Sequence, residues 1–306
     1  MSAGFELSLR GPGGEPVDLW RTLNSHGFAD LAPLQLDAER RSLSLTVRVP
    51  GGRPRRVQIG PGRPGSASVE ILGGAAGPRV RSAVENVTAQ MLQLDEDLSG
   101  FYATAGADPA LAWVVSGAGR MLRSPTVFED VVKTICTTNC SWGLTVAMVN
   151  ALVTHLGEPA LGGGGPLTNA FPTPAAMAAR PESFYRHVVR AGYRSPRFVD
   201  LASAVASDGL DLERLGTASR EQLSDDDLER ELLALPGVGP YAAAHIMMTL
   251  GRSSRLILDS WTRPTYARLL DRSRPVADRT IVRRFRRYGD RAGLAFWLFL
   301  TKDWVP

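Results

Sequence analysis

The stretch LPGVGPYAAAHIMMTLGRSSRLILDSWTRP, Leu235 to Pro264, decides how this chain folds. Just ahead of it, SDDDLERELLA has good helix chemistry. Ser224 stands as an N-cap with Asp227 at N3, and Leu228, Leu232 and Leu235 recur on one face. Beyond the glycines, Pro240 suits the first position of a second helix, where the N–H it lacks would have no partner anyway. YAAAHIMMTL continues that helix and Gly251 supplies its stop. Pro236-Gly237-Val238-Gly239 therefore reads as a tight hairpin between two helices. It is not the GxGxxG of a dinucleotide fold, which needs a strand in front, nor a GxxxxGK[ST] phosphate loop. A glycine hairpin at a helix start can still offer unpaired backbone N–H groups to a phosphate, and glycine lets another chain approach closely. As a bare pattern it is more often an ordinary turn between two helices. At the far end of the stretch, Asp259 closes the apolar run LIL where another helix begins, a common N-cap position.

Working outward, the first 75 residues alternate like strands. FELSLR, SLSLTVRVP, RRVQIG and SVEIL are separated by Gly- and Pro-rich turns, with PVDLWRTLNS as a short helix. From Pro78 onward apolar residues recur at helical spacing: VRSAVENVTAQMLQL, PALAWVVSGAGRML, VFEDVVKTICTT, WGLTVAMVNALVTHLG and FVDLASAVAS. The expected class is α+β: an N-terminal domain with an antiparallel sheet and helix over 1–116, then an all-helical domain over 117–306.

The 306 residues carry a net charge of +4, almost all of the positive charge being arginine, since lysine occurs only at 133 and 302. Arg283, Arg284, Arg286 and Arg287 crowd one segment and Arg53, Arg55, Arg56 and Arg63 another; solvated surface and polyanion contact fit both clusters equally. Two cysteines, Cys136 and Cys140, cannot build an all-cysteine cluster and read as small apolar residues. Four scattered histidines suggest no catalytic metal. Lys133 reads as a surface residue. There is no run of membrane-spanning length and no basic-then-apolar start, so a cytoplasmic protein is expected, nucleoid-associated if bacterial.

LPGVGPYAA followed twenty residues after Gly239 by Asp259 resembles the helix-hairpin-helix DNA glycosylases. In that family the hairpin grips the DNA backbone and the downstream aspartate drives base excision. The resemblance assigns backbone binding to Gly237, Val238 and Gly239, and catalysis to Asp259. PTVFEDVVKTICTTNCSW is similar to the segment that carries a residue inserted near the emptied base stack, here Asn139; on its own, Asn139 would read as a helix C-terminal asparagine. AGYRSPRFVDLA resembles a segment of the 8-oxoguanine branch. It makes Tyr193 a wedge beside the estranged base and turns Arg194 toward the orphaned base, the plainer alternative for Tyr193 being packing between helices. An N-terminal sheet before the helical body matches the alkylpurine and 8-oxoguanine branches in outline.

The same resemblance implies the chemistry. Departure of a base builds positive charge on the sugar, which a carboxylate at 259 would stabilise while orienting water. Members that also cleave the strand place a lysine two residues after the second hairpin glycine; here that residue is Tyr241, so a monofunctional enzyme is expected. In DRAGLAFWLFLTKDW, Phe296 stands where 8-oxoguanine enzymes carry a reading glutamine, and Trp261 stands where they have histidine. Tyr241, Trp261 and Phe296 would form an aromatic pocket for cationic alkylated purines such as 3-methyladenine or 7-methylguanine; His245 stands at its edge, a core or interhelix histidine being the plainer reading of that residue. The expected partner is double-stranded DNA with a damaged base, bound by a monomer. No cofactor is expected, although a monovalent cation could seat at the hairpin backbone. The rivals are an oxidised-purine glycosylase and a non-catalytic damage-binding protein.

Overall fold

The computed structural model describes residues 3–305. Five strands, β1 (Ala3–Ser8), β2 (Gln35–Asp37), β3 (Ser42–Val47), β4 (Arg55–Pro61) and β5 (Ser66–Ile71), form one antiparallel sheet in the order β1-β5-β4-β3-β2. The two-residue period puts Leu43, Leu45, Val57, Ile59, Val69 and Ile71 on one buried face, in register as Leu45 opposite Val57 and Ile59 opposite Val69. Leu19 and Leu23 of the short helix Leu19–Leu23, with Val84 and Met91 of the helix Pro78–Met91, close over that face. The short edge strand β2 was absent from the sequence expectation.

The arginines of the sheet are occupied within the fold. Arg56 is buried, its guanidinium donating to the Pro33 carbonyl and to Gln35 Oε1; Arg55 reaches the carbonyls of Gly73 and Ala75. Burial pulls the Arg56 guanidinium down to about 10.

The helical part packs around two centres. In the first, the helix Val127–Thr137 is buried on all sides; it packs against Trp142–Leu156, Glu213–Thr217 and Pro240–Thr249, and Ser195–Ala206 and Asp225–Leu233 add to the same core. In the second, residues between Leu98 and Met121 pack with the helices Thr262–Leu269, Asp278–Phe285 and Ala292–Thr301. No helix among the described residues is long and apolar enough to cross a membrane.

Two expectations need correction. PALAWVVSGAGRML is not a helix: it holds only the 3-10 turn Ala112–Ser116, because Gly117 and Gly119 adopt φ of +123° and +121°. A Cβ on Gly117 would sit 2.5 Å from the Asp18 amide nitrogen. Lys133 is not on the surface but fully buried, 2.6 Å from Glu129 one helical turn away. An all-buried helix leaves no outer face for it, and pairing is what lets the ammonium stay inside.

Candidate active site and nucleic-acid interface

The hairpin forms as its residues dictate. The Ser224 hydroxyl caps Asp225–Leu233 by accepting from the Asp227 N–H at 3.2 Å. Gly237 takes a φ of +85°, which a side chain would oppose, and Pro240 opens the next helix. The Val238 side chain joins the core, so the turn offers its backbone outward. Among the described residues nothing accepts from the N–H groups of Gly237 and Gly239, and the first-turn amides of Tyr241 and Ala242 have no helical partner by construction. No atom lies within 4 Å of a Cβ built on Gly239. The hairpin thus presents a smooth surface of N–H donors at the positive end of a helix.

A Schellman turn ends Pro240–Thr249: Gly251 N–H donates to Met248 O at 3.1 Å and Arg252 N–H to Met247 O at 2.8 Å. Two arginines then tie the following segment back to the first hairpin helix. Arg252 Nε donates to Asp225 Oδ1 at 2.6 Å and Arg255 Nε to Glu229 Oε2 at 2.8 Å. The path from hairpin to Asp259 is fixed by these ties. Asp259 Oδ1 accepts from the N–H groups of Trp261 (2.9 Å) and Thr262 (2.6 Å), and Thr262 Oγ1 accepts from the Asp259 N–H at 2.8 Å. This reciprocal cap locks the carboxylate at the start of Thr262–Leu269. Among the described residues Oδ2 has no hydrogen-bond partner, and the side chain is partly open to solvent.

Tyr241 faces the same space. Burial pushes its phenol up; the hydrogen bond it shares with Thr137 works against this, and the Asp259 carboxylate adds to it. His245 lies beneath Tyr241, rings stacked at 6.2 Å, but it is buried against Phe28 and His26 rather than open to the site. Burial drives His245 down to about 3 and His26 to about 4, so both are neutral.

Trp261 is 38 % exposed and packs on Trp297 and Trp304, at 5.7 and 5.4 Å between ring centres. Phe296 is not part of this wall. It is 0 % exposed, in the core against Tyr266 and Phe285. One residue along a helix turns the side chain by about 100°, so Trp297 takes the place expected of Phe296 beside Trp261, with its Nε1 donating to Ser25 O at 2.8 Å. Trp297 and Trp304 were missed in the sequence. Two tryptophans in the last ten residues, seven apart, were the available signal.

A second element abuts the hairpin. Asn139 adopts φ +46° just past the end of Val127–Thr137, and its Nδ2 donates to Tyr193 Oη at 3.3 Å, while Thr138 Oγ1 lies 3.0 Å from the same phenol. Tyr193 is 57 % exposed. Arg194, expected to face an orphaned base, is only 3 % exposed. Its Nε donates to Ile135 O and Thr138 Oγ1, its Nη1 to Ala191 O, and its guanidinium lies 4.5 Å from the centre of the Tyr193 ring. It pins the Asn139 turn to Tyr193 from inside. A Cβ on Gly237 would meet Arg197 Cβ at 3.2 Å and Ile135 Cγ2 at 3.6 Å, so hairpin and turn share one wall. The threonines of TICTTN are the hub, with Thr134 to His245, Thr137 to Tyr241 and Thr138 to Tyr193. Nothing in their spacing announced this.

No metal-binding cluster of histidine, cysteine, aspartate or glutamate occurs among the described residues. A cleft of about 650 Å³ lies away from these residues, between Thr46–Arg48 and Thr126–Glu129.

No family model and no curated protein matches this sequence. Solved structures do. A 3-methyladenine DNA-glycosylase from Archaeoglobus fulgidus superposes with a TM-score of 0.73 at 20% identity, covering 97% of both chains. MBOgg1 in complex with a low affinity DNA ligand gives 0.71 at 19% identity over 97% of this chain and 94% of that one. The Clostridium acetobutylicum 8-oxoguanine glycosylase/lyase, in complex with dsDNA containing cytosine opposite 8-oxoG, gives 0.69 at 19% identity over 99% and 98%. A likeness that spans both the sheet and the helical body, end to end, identifies the architecture: this chain has the fold of those DNA glycosylases.

Proposed function

We infer that this protein is a DNA N-glycosylase that hydrolyses the bond between a damaged purine and its deoxyribose, with alkylated purines as the substrate class. The observation that carries the reading is Asp259: a carboxylate held through one oxygen by two backbone N–H groups, its other oxygen free, at a fixed distance from a hairpin of unpaired amides.

The chemistry follows from that placement. As the base departs with the electron pair of the glycosidic bond, positive charge grows on the sugar, and Asp259 Oδ2 would stabilise it by proximity. Water would then bond to the sugar carbon and give up a proton, for which the same carboxylate is the nearest acceptor. An alkylated purine that enters as a cation leaves neutral, so little help is needed at the base. An aromatic surface that attracts cations is enough to hold it. Tyr241 and Trp261 would supply that surface, with the buried Trp297 backing Trp261 from the core side. No lysine follows the hairpin: Tyr241 occupies the position, and Lys133 is buried in its pair with Glu129. Water is therefore the proposed nucleophile.

The test is base release from duplexes bearing 3-methyladenine, 7-methylguanine, hypoxanthine, 8-oxoguanine or uracil. Release of the methylated purines, lowered about 10²- to 10⁴-fold in Asp259→Asn, is expected. Undiminished release by that variant would end the catalytic assignment, and release of 8-oxoguanine alone would move the substrate to oxidised purines. A covalent adduct trapped by borohydride would replace water with an amine. Lys302, exposed in the turn that carries Trp304, would then be the residue to change.

A further inference from the structure

The two arginine clusters that the sequence left equivalent have different fates. In the sheet, Arg55 and Arg56 spend their donors on carbonyls and a glutamine of the fold. Between residues 268 and 287 there are eight arginines and two aspartates. One of those aspartates, Asp278, is held in a two-pronged pair by Arg263, at 2.8 and 2.9 Å. Arg287 pairs with Asp108. Among the described residues Arg272, Arg274, Arg283 and Arg284 have no carboxylate within 4.0 Å, and Asp271 is the only acid left in that stretch to answer them.

Those four arginines line a single open cleft of about 640 Å³ between the end of Thr262–Leu269 and the helix Asp278–Phe285, with Thr280 also on its wall. Arg272, Arg274 and Arg283 are exposed. Arg284 is oriented: its guanidinium lies 4.5 Å from the centre of the Phe299 ring and 5.8 Å from that of Tyr266. A guanidinium stacked on aromatic rings keeps its N–H edge free, and that planar fork matches two oxygens of a phosphate. Four like charges converging without counter-ions are unfavourable in the free protein, so an incoming anion is bound with the repulsion relieved as well as the attraction gained.

We propose that this cleft is a second phosphate-binding site, which holds the DNA backbone beyond the hairpin. The proposal rests on the glycosylase reading for its choice of DNA as the source of phosphate. Thr262–Leu269 starts just after Asp259 and, at 1.5 Å per residue, runs about 12 Å. The cleft at its far end is therefore three to four base-pair rises of about 3.4 Å from the carboxylate. A helix with the carboxylate at one end and the arginines at the other would fix the spacing between the sugar being cleaved and a flanking phosphate. The contact would carry no sequence information, as damage search requires.

The test is binding to an undamaged duplex between 50 and 200 mM salt. Arg272→Ala/Arg274→Ala/Arg283→Ala removes exposed side chains that pair with nothing in the fold, so folding should be intact, which thermal melting checks. Removing one phosphate interaction makes the logarithmic salt slope shallower by about 0.9; the triple variant should lose about 2 to 3 and bind at least tenfold more weakly at the lower salt. Arg284→Lys keeps the charge but removes the fork, and should weaken binding several-fold with the slope little changed. An unchanged slope and affinity in the triple variant would overturn the proposal. So would an equal loss of slope from Arg40→Ala/Arg41→Ala/Arg79→Ala, exposed arginines of the N-terminal region, since net charge would then be the cause. Inorganic phosphate separates the sources: if the triple variant loses phosphate binding while its duplex slope is intact, the cleft serves a free phosphate and the DNA assignment falls. Base release by the unaltered protein is assayed separately. Its failure beside an arginine-dependent slope would remove the chemistry and keep the clamp.

Discussion

The hairpin with its aspartate and the Asn139–Tyr193 turn lie against the same wall, yet they are held in opposite ways. The first is built from backbone. A Schellman turn, a reciprocal cap at Asp259 and two short-range arginine ties place it, all within about 40 residues of sequence. The second is built from side chains 54 to 59 positions apart, and its centre is Arg194. Arg194 also differs from three of the other buried cations. Arg120 pairs with Glu15, Lys133 with Glu129 and Arg252 with Asp225, whereas among the described residues Arg194 has only carbonyls, a hydroxyl and the face of Tyr193. Backbone-built geometry tolerates change at most positions. Side-chain-built geometry hangs on one.

The two regions meet at a seam that acid should open, with the largest effect expected here. His245 on the hairpin helix lies 3.4 Å from Thr134 on the helix leading to Asn139, and both it and His26 are neutral in the folded protein. Their folded values lie below the ordinary 6.5, so the unfolded chain binds protons that the folded one refuses. Stability is therefore full above 6.5 and is lost as pH falls toward about 4 and about 3. At pH 5 this amounts to about 2 kcal/mol for each ring. Burial raises the carboxyls of Glu129 and Asp130, which opposes the loss at the acid end. Thermal melts between pH 7.5 and 5 should show a falling Tm, and His245→Phe should flatten that limb by roughly half. An equal acid slope in the variant would take His245 out of the seam.

Next in size is Arg194→Ala. Hydrogen bonds from a charged donor contribute about 1.5–3 kcal/mol, so the variant should lose about 2–3 kcal/mol in denaturant melts and let Tyr193 swing free. Arg194→Lys should not restore it, because one ammonium cannot serve Ile135 O, Thr138 Oγ1 and Ala191 O together. Full rescue by lysine would show that charge, not the fork, holds the turn.

The contrast also explains what the sequence could reveal. Caps, proline placement and the Gly251 stop are local rules, and they specify the hairpin and the helix start at Asp259 without reference to packing. Alternation likewise specified four of the five strands. The faces of buried helices are not local. Phe296 and Trp297 are both large aromatics on a helix that is apolar nearly all round, so periodicity had no polar face from which to orient it. Lys133 misled for the same reason, since a lysine inside a helix normally marks the outer face and here that helix has none. The helix expected over residues 109–122 failed because its apolar spacing was helical while Gly117 and Gly119 were committed to left-handed backbone. Arg194 was assigned to an interface by resemblance; its burial depends on residues of the helix 55 to 60 positions earlier and could not be read from its neighbours.

The smallest effects on the fold belong to the two hairpin glycines, and they are the sharpest test of a backbone-built site. Gly237→Ala meets both a φ of +85° and a contact at 3.2 Å, so it should cost about 1–2 kcal/mol in stability and weaken duplex binding along with it. Gly239→Ala is different. Its φ of −107° is open to any residue and its Cβ would point into empty space, so the Tm should hardly move. If DNA backbone packs onto that space, the methyl group stands where a phosphate or sugar must come, and duplex binding should fall several-fold with the fold intact. A Gly239→Ala protein that melts and binds like the original would mean that nothing approaches the hairpin there. The unpaired amides would then be an ordinary helix start, and the contact with DNA would have to be sought at the arginine cleft.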